Sequence, residues 1–296
     1  MQLIERGTMS RYHSGRTLLV AFQGWNDAAE AASGVMKFVN EKIQGEVVSS
    51  VDPEDYYDFQ FTRPNIILDD DNNRVIEWPG TELIRASKDA ISAEPRFGEL
   101  FVLFGTEPAR RWQAFTSELL EMIDDAEIDQ VVFVGAMLSD APHTRPIKVS
   151  LMSQNADVRS ELNVERSTYE GPIGILTVLS LALEQRGIPT LAMWASVPHY
   201  VHNQASPKAT LALLIEVERL LGYQFEHGSL ADDAFTWERG IDEVAEGDED
   251  MASYIEQLEK SRDLEDEAEG SAETLAHEFE RFLAADKSEP EEPKQD

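Results

Sequence analysis

The sequence contains no cysteine, few cationic residues and no long hydrophobic run. Without cysteine there can be no disulfide, no thiolate nucleophile and no Cys-ligated zinc or iron–sulfur centre. The chain carries 25 Lys and Arg against 57 Asp and Glu, and its net charge of −32 argues against nonspecific binding to nucleic acid or anionic membranes. Apolar stretches such as 131–134 and 211–215 are too short to cross a bilayer. We therefore expect a cytoplasmic protein that binds neither nucleic acid nor membrane.

Sequence signatures of several common cofactor and catalytic sites are also missing. The chain has no GxGxxG or GxxxxGK(S/T) phosphate-binding loop, no HExxH zinc motif and no GxSxG nucleophile elbow. Residues 1–14 contain charges and no apolar run of the kind that a signal peptide needs. We therefore expect no cofactor and no metal, and neither metal catalysis nor conventional serine hydrolysis.

The negative charge is concentrated at the end of the chain. Residues 232–296 contain 24 of the 57 acidic residues and only 6 of the 25 basic ones. A chain of about 300 residues is long enough for one large domain with an appendage. We therefore predict a core domain over residues 1–227, an acidic amphipathic helical appendage over 228–284 and a disordered tail over 285–296.

Strand-length apolar runs alternate with helical patterns in the core domain, which is typical of a parallel sheet with crossover helices. Residues 63–78 instead indicate a hairpin or edge addition with a turn at 70–73. The pattern predicts a three-layer α/β/α sandwich with a mostly parallel sheet. The predicted strands are 17–22, 45–51, 99–104, 130–138, 146–151 and 190–197, and the predicted helices are 28–42, 110–126, 172–186 and 207–221.

Polar side chains follow several of the predicted strands. In open parallel sheets, ligands bind beyond the carboxyl ends of the strands, so this edge is the candidate cleft. Polar loops are common in any α/β protein, and each side chain taken alone also has a structural interpretation. The candidate cleft residues are Asn26, Asp27, Asp52, Glu107, Arg110, His199 and Tyr200, with Asp140 and His143 in a nearby loop.

Two turns beside this cleft allow both a structural and a binding interpretation. Gly24 permits a tight turn in which Asn26 or Asp27 caps the next helix, or the turn presents free N–H groups and a carboxylate to a ligand. Gly171 brings the backbone close to a ligand and Pro172 begins a helix whose N-terminus attracts anions, or the segment is only a well-formed helix start.

The histidines do not define a catalytic site. Histidine is the side chain that most often transfers protons near neutral pH, so His199 is a candidate general acid or base, and a structural role is the alternative. Asp140 and His143 resemble part of a catalytic triad, but no nucleophile is placed beside them. We therefore predict no catalytic residue.

Several motifs, taken in order over roughly residues 15–222, resemble the proteasome-assembly-chaperone-2 (PAC2) family. Early in the chain they are Gly24-Trp25-Asn26-Asp27-Ala28, Asp52-Pro53-Glu54-Asp55-Tyr56-Tyr57-Asp58-Phe59 and Arg63-Pro64. Three later stretches are similar to the actinobacterial branch: Gly171-Pro172-Ile173-Gly174-Ile175, Trp194-Ala195-Ser196-Val197-Pro198-His199-Tyr200 and Ser206-Pro207-Lys208-Ala209-Thr210.

The resemblance implies an α/β/α fold akin to that of nucleoside phosphorylases, a homo-oligomer such as a trimer, and no established catalytic activity in the bacterial members. The family name comes from eukaryotic relatives that help to assemble proteasome rings. Those relatives can end in a hydrophobic–Tyr–any-residue tail that docks in a proteasome pocket, whereas this sequence ends in Pro293-Lys294-Gln295-Asp296. We therefore do not expect that mode of docking.

Apolar stripes around 230–244, 251–258 and 275–283 predict two or three amphipathic helices in the appendage. Gly247 and Gly270 fall between them, and Ser271 is a candidate N-cap of the third. Each stripe needs an apolar partner. The helices either pack on the core and on one another, or form an arm that mediates oligomerisation or presents its acidic face to a basic protein.

Two functions are therefore compared. The first is a non-catalytic, oligomeric interaction protein of the proteasome-assembly-chaperone type. The alternative is an enzyme or sensor that binds a nucleoside-like or anionic metabolite in the cleft. In the alternative, polar groups come from Asn26, Asp27, Glu107 and Arg110, N–H groups from Gly171 and Pro172, and proton transfer from His199.

Overall fold

The structure, a computed structural model, describes residues 10–69 and 71–286, with side chains as far as residue 268. Its strands are β1 (Thr17–Gln23), β2 (Glu46–Val51), β3 (Asn65–Leu68), β4 (Arg74–Glu77), β5 (Thr81–Arg85), β6 (Leu100–Thr106), β7 (Gln130–Ser139), β8 (Val149–Met152) and β9 (Thr190–Pro198). Its helices are α1 (Ala31–Lys42), α2 (Lys88–Ala93), α3 (Trp112–Asp125), α4 (Ala156–Leu162), α5 (Ile175–Gln185), α6 (Pro207–Leu221), α7 (Leu230–Glu246) and α8 (Glu249–Asp286).

A seven-stranded sheet in the order β2-β5-β6-β1-β7-β9-β8 forms the middle layer. The four strands β6, β1, β7 and β9 are parallel, with α3 connecting β6 to β7 and α5 leading into β9. Side chains alternate between the two faces of each strand, and apolar residues of β1 accordingly enter two separate cores. Leu19 and Ala21 pack in the core that α1 and α6 cover, whereas Leu18 and Val20 pack in the core under α3 and α5. The predicted α/β/α fold class is confirmed.

The edges of the sheet differ from the prediction. β5 was not predicted, because its buried residues Thr81, Leu83 and Ile84 alternate with exposed Glu82 and Arg85 and give no continuous apolar run. It lies antiparallel to β6, β2 lies antiparallel to it, and β8 lies antiparallel to β9. The short helices α2 and α4 were also not predicted. The sheet is therefore mixed, with antiparallel strands on both sides of four parallel ones.

Two helices, α1 and α5, begin three residues later than predicted. The segment expected as one helix over 28–42 starts with a 3₁₀ turn at Ala28–Glu30, where Ala29 and Glu30 have positive φ angles, and α1 begins at Ala31. The helix expected over 172–186 begins at Ile175 with Gly174 as its N-cap. Pro172 is therefore not in its first turn, and that prediction was wrong.

The segment between β2 and β5 leaves the sheet and forms the predicted hairpin. β3 and β4 pair only with each other, in antiparallel register from Asn65–Glu77 to Leu68–Arg74. Asp70, in the predicted turn, lies outside the described residues. We call β3 and β4 the hairpin arm.

The acidic helices contact the core. Ala234 and Ile241 of α7 are buried, as are Ile255 and Leu258 of α8. Of the two or three helices predicted here, the structure has two, because α8 continues from Glu249 to Asp286, and the third helix with Ser271 as its N-cap was wrong. Of the tail predicted to be disordered, residues 287–296 lie outside the described residues. None of the described helices combines the length and hydrophobicity that crossing a bilayer requires.

Gly105 tests the placement of the unpredicted strand β5. A Cβ at this position would lie 2.2 Å from the Gly80 carbonyl oxygen and 2.6 Å from Thr81 Cα, so the two backbones would have to separate. We expect Gly105→Ala to lower the free energy of unfolding by about 1–3 kcal/mol, as overpacking does. Urea denaturation measures the change. Gly80→Ala is the matched control, because an added Cβ there meets no atom within 4 Å. Equal stability of the two variants would contradict the β5–β6 pairing.

Candidate functional site

The predicted cleft corresponds to the edge of the sheet at the carboxyl ends of β1, β6, β7 and β9, which we call the rim. Asn26 and Asp27 lie there directly after β1, and both are buried. The Asn26 carbonyl accepts a hydrogen bond from the Ala136 amide of β7 at 2.8 Å, so this loop continues the sheet pairing beyond β1. The loop is therefore held in place by backbone contacts.

Glu107 joins three elements at the centre of the rim. Its Oε1 accepts hydrogen bonds from the Ile175 amide at 2.9 Å and from Asn26 Nδ2 at 3.2 Å. The Ile175 amide is the first of α5, where the helix dipole favours a negative charge. The carboxylate of Glu107 thus occupies the helix N-terminus at which the sequence had suggested an external anion. A Cβ at Gly24 would come within 3.3 Å of Glu107 Cβ, so this turn also lies against Glu107.

Asp27 caps α1. Its Oδ1 accepts hydrogen bonds from the amides of Ala32 at 2.8 Å and Ser33 at 3.0 Å. Burial raises the pKa of its carboxyl group, and the hydrogen bonds from Ser33 and Ala32 act against that shift. These contacts match the structural interpretation of the turn, in which an acidic residue caps the next helix.

Asp52 and Arg110 lie at a different part of the rim. Asp52 is exposed and accepts a hydrogen bond from the Glu54 amide at 3.0 Å, which closes a local turn. The Arg110 guanidinium donates to the carbonyl oxygens of Glu54, Asp55 and Tyr57, each at 3.2 Å. Arg110 therefore holds the segment that follows β2 in place.

Gly171 and Pro172 lie in the exposed loop before α5. The Tyr169 hydroxyl donates to the Pro172 carbonyl at 3.1 Å, and a Cβ at Gly171 would lie 2.4 Å from that hydroxyl oxygen. The close approach of Tyr169 thus explains why glycine suits position 171.

The other half of the rim is covered by the acidic helices. His199 Nδ1 lies 3.3 Å from Asp140 Oδ1, and the His199 and Tyr200 rings make edge-to-face contacts with Tyr254 of α8. Asp140 therefore pairs with His199, whereas His143 has other partners.

His143 is fully buried and links the rim to α7. The Tyr200 hydroxyl accepts the His143 backbone N–H at 2.8 Å and also lies 2.8 Å from Nδ1. Its single hydrogen then points at Nδ1, which leaves Nε2–H to donate to Asp242 Oδ1 at 3.0 Å. The hydrogen bonds thus fit a neutral imidazole. Sequence reasoning missed this link because Asp242 comes from the appendage.

The rim exposes apolar side chains while its polar groups pair with one another. Trp25 and Tyr169 are 65% and 66% exposed, and Met137, Leu138 and Ile173 are also exposed. We call these five residues the rim patch. Sequence reasoning did not predict their exposure, because residues such as Met137 and Ile173 belong to apolar runs that periodicity assigns to a core.

The candidate residues fall into three groups: Gly24, Asn26, Asp27 and Glu107 at the centre, Asp52 and Arg110 after β2, and His199 and Tyr200 under α8. Gly171 and Pro172 border the first group. Among the described residues, no three His, Asp or Glu side chains are arranged to hold a metal ion. The arrangement suits holding loops in fixed positions and presenting apolar surface.

Comparison with known proteins identifies relatives. The PAC2 family model matches residues 21–245. A PAC2 family protein from Streptomyces avermitilis is 38% identical, with a TM-score of 0.71 over 81% of this chain and 99% of that one. A proteasome-assembly chaperone homologue from Mycobacterium tuberculosis is 37% identical, with a TM-score of 0.70 over 81% and 99% of the two chains.

More distant matches share the fold alone. A Pyrococcus furiosus protein described as an archaeal proteasome activator is 12% identical, with a TM-score of 0.58 over 77% of this chain and 93% of that one. A search of curated proteins gives no significant match to this chain. The predicted family resemblance, including its actinobacterial branch, is confirmed.

Removal of the Glu107 carboxylate should destabilise the rim. Glu107→Ala leaves the Ile175 amide and the buried Asn26 side chain without an acceptor, which typically costs about 1–3 kcal/mol. Glu107→Gln keeps an acceptor oxygen but loses the charge at the α5 N-terminus, so its loss should be smaller. Urea denaturation measures both. Glu121→Ala, at an exposed position of α3, is the control, and a loss as small as that of the control would contradict the role of Glu107.

His143 should make stability depend on pH. Burial lowers the pKa of its imidazole, with Lys208 acting in the same direction and Asp242 and Glu238 acting against it. The unfolded chain therefore binds this proton more readily, and stability is lost as pH falls below about 6.5, the pKa of an unperturbed histidine.

Urea denaturation from pH 7.5 to 5.5 checks this expectation. His143→Gln does not titrate and should lose less stability over this range than the unmodified protein, by at most about 1.4 kcal/mol per pH unit. His202→Gln, at an exposed position, should behave like the unmodified protein. Identical pH slopes for all three proteins would contradict the prediction, because they would mean that His143 binds its proton equally in the folded and the unfolded chain.

Proposed function

The chain belongs to the PAC2 family, and we propose that it acts as a non-catalytic, oligomeric interaction protein of the proteasome-assembly-chaperone type. The proposal rests mainly on one observation, that the polar groups of the rim are hydrogen-bonded within the chain while apolar side chains are exposed. Catalysis and metabolite binding need polar groups that are free to contact a ligand, whereas Asn26, Asp27, Glu107 and Arg110 are engaged with other groups of the chain. The solvent meets apolar side chains instead, and contiguous apolar patches on proteins mark interaction sites.

The hairpin arm supports an oligomer. A lone two-stranded hairpin is marginally stable in water. Here Ile66, Leu68 and Ile76 are 58%, 61% and 56% exposed, and Ile67 and Val75 on the opposite face are also exposed. At sufficient protein concentration a second copy of the chain would cover this surface, and the copies would form a trimer or another small homo-oligomer.

The acidic helices support a second contact, with a basic protein surface. Residues around the α7–α8 junction, namely Glu243, Glu246, Glu249 and Asp250, point exposed carboxylates away from the core. Glu243 pairs with Arg239 of the same helix at 3.3 Å, and all four carboxylates remain exposed to Lys and Arg of a partner, whose attraction would increase the rate of association. The Mycobacterium tuberculosis relative is a proteasome-assembly chaperone homologue, so unassembled proteasome subunits are the partners to test first. This role assigns the protein to the cytoplasm.

Two measurements test the proposal. Light scattering on the purified chain should give a mass that is a multiple of 33.2 kDa at micromolar concentration. Proteasome α- and β-subunits from the same organism should be retained by the immobilised chain. Retention should fall for a full-length variant in which Glu243, Glu246, Glu249 and Asp250 are replaced by Gln or Asn, and should persist for a matched variant in which the exposed residues Glu41, Glu82, Glu121 and Asp125 are replaced. A monomer that retains neither subunit would overturn the proposal.

A further inference from the structure

The segments that carry Trp25, Met137 and Ile173 of the rim patch lie side by side, because Asn26 contacts all of them. Asn26 pairs with Ala136 through its backbone and touches Gly174 with its side chain, at which an added Cβ would lie 2.3 Å from Asn26 Nδ2. The neighbours of these three residues in the chain are Trp25, Met137 and Ile173, which are exposed. Tyr169 extends the surface through its hydrogen bond to Pro172.

The hairpin arm carries a matching apolar face. Cross-strand partners lie on the same face of an antiparallel pair, so the Ile66–Ile76 and Leu68–Arg74 pairs form one surface. Three of its four side chains are apolar and more than half exposed. The fourth, Arg74, places a positive charge at the edge of the apolar area.

Charge also favours contact between the two surfaces. Within the part of the chain that the structure describes, Arg63 and Arg74 form no ion pair, although most other arginines of this acidic chain do have polar partners. Beside the rim patch, Glu170 is exposed and likewise forms no ion pair, and Asp140 has a side chain that is mostly exposed. The arm also carries Asp69 and Asp71 at its turn and Glu77 on the opposite face. The charge of its apolar face is therefore that of Arg74, which would meet the carboxylates beside the patch.

Both surfaces lie at the same end of the molecule. β2 ends at Val51 opposite Thr81, which in turn pairs with Gly105 near the carboxyl end of β6. The segment that includes the arm thus leaves the sheet at the rim, on the β2–β5 side, whereas the patch surrounds the ends of β1 and β7. Two complementary surfaces at separate places on one chain form a heterologous contact, which can close into a ring.

We propose that the hairpin arm of one copy docks on the rim patch of the next copy, so that the rim is completed by Ile66, Ile76 and Arg74 of a second chain. This inference rests on the proposed homo-oligomer and specifies how its copies pair. The alternative pairing is arm against arm across a two-fold axis.

Two full-length variants separate these pairings. Ile66→Ser with Ile76→Ser removes the apolar face of the arm and leaves the patch intact. Trp25→Ser with Tyr169→Ser removes the patch and leaves the arm intact. All four side chains are exposed, so we expect both variants to fold, which circular dichroism and urea denaturation check. Ile215→Ser, at an exposed position of α6 away from both surfaces, is the control and should keep the mass of the unmodified protein.

Each variant alone should be monomeric by light scattering, because each lacks one half of every contact. An equimolar mixture should form a 1:1 heterodimer, since the intact arm of one variant can dock on the intact patch of the other. Monomers that stay monomeric when mixed would overturn arm-on-patch docking. The arm-against-arm pairing would instead show as a monomeric Ile66→Ser/Ile76→Ser variant beside a Trp25→Ser/Tyr169→Ser variant that still associates through its intact arm. A variant that keeps the unmodified mass would also overturn it.

The same experiment distinguishes failure of this inference from failure of the proposed function. If the unmodified protein is itself monomeric, the homo-oligomer is wrong and the docking falls with it. If a serine variant does not fold, Arg74→Glu and Glu170→Lys replace the two double variants. Each should associate at least tenfold more weakly than the unmodified protein, and the mixture should regain association because Glu at position 74 then faces Lys at position 170. Failure to regain it would again overturn the docking.

Discussion

The hydrogen bonds of Glu107 are the constraint on which the rest of the rim depends. The carboxylate follows β6 but binds the first amide of α5 and the side chain that follows β1, so one residue joins three elements that are distant in sequence. Because it satisfies the helix N-terminus from within, it fills the position that an anionic ligand would take. The Asn26 it holds also fixes the loops whose exposed residues form the rim patch. The polar groups of the rim bond to one another, and the side chains that remain exposed to solvent beside them are therefore mainly apolar.

The central sheet could be predicted because its strands are continuous apolar runs that parallel pairing buries on both faces. β6 and β7 illustrate this, and their predicted bounds are close to the observed ones. β5 could not be predicted, since its alternating polar residues are explained only by its position next to β6. The start of α5 was predicted at Pro172 because proline is frequent at the first position of helices. In the structure the helix begins at Ile175, whose amide donates to Glu107.

The residues of the candidate site could be predicted from the sequence, but their hydrogen-bond partners could not. The sequence identified Asn26, Asp27 and Glu107 as polar residues at strand ends, but the partner of Asn26 is 81 positions away and local patterns do not reveal such pairs. The same holds for His143, which bonds to Asp242 at a separation of 99 residues and thereby attaches the acidic helices to the core. The net charge of −32 thus belongs partly to helices that are bound to the rim and partly to carboxylates that face away from it.

If the rim and the hairpin arm are protein-contact surfaces, association of the chain should shield both from solvent. Hydrogen–deuterium exchange of the full chain, measured by mass spectrometry from nanomolar to high micromolar concentration, detects such shielding. Peptides containing Trp25, residues 137–138, residues 169–173 and the arm should become protected together as concentration rises, while α3 does not change. Unchanged exchange at the rim over the whole range, together with protection by added phosphate or nucleoside, would contradict the claim and restore the metabolite-binding alternative.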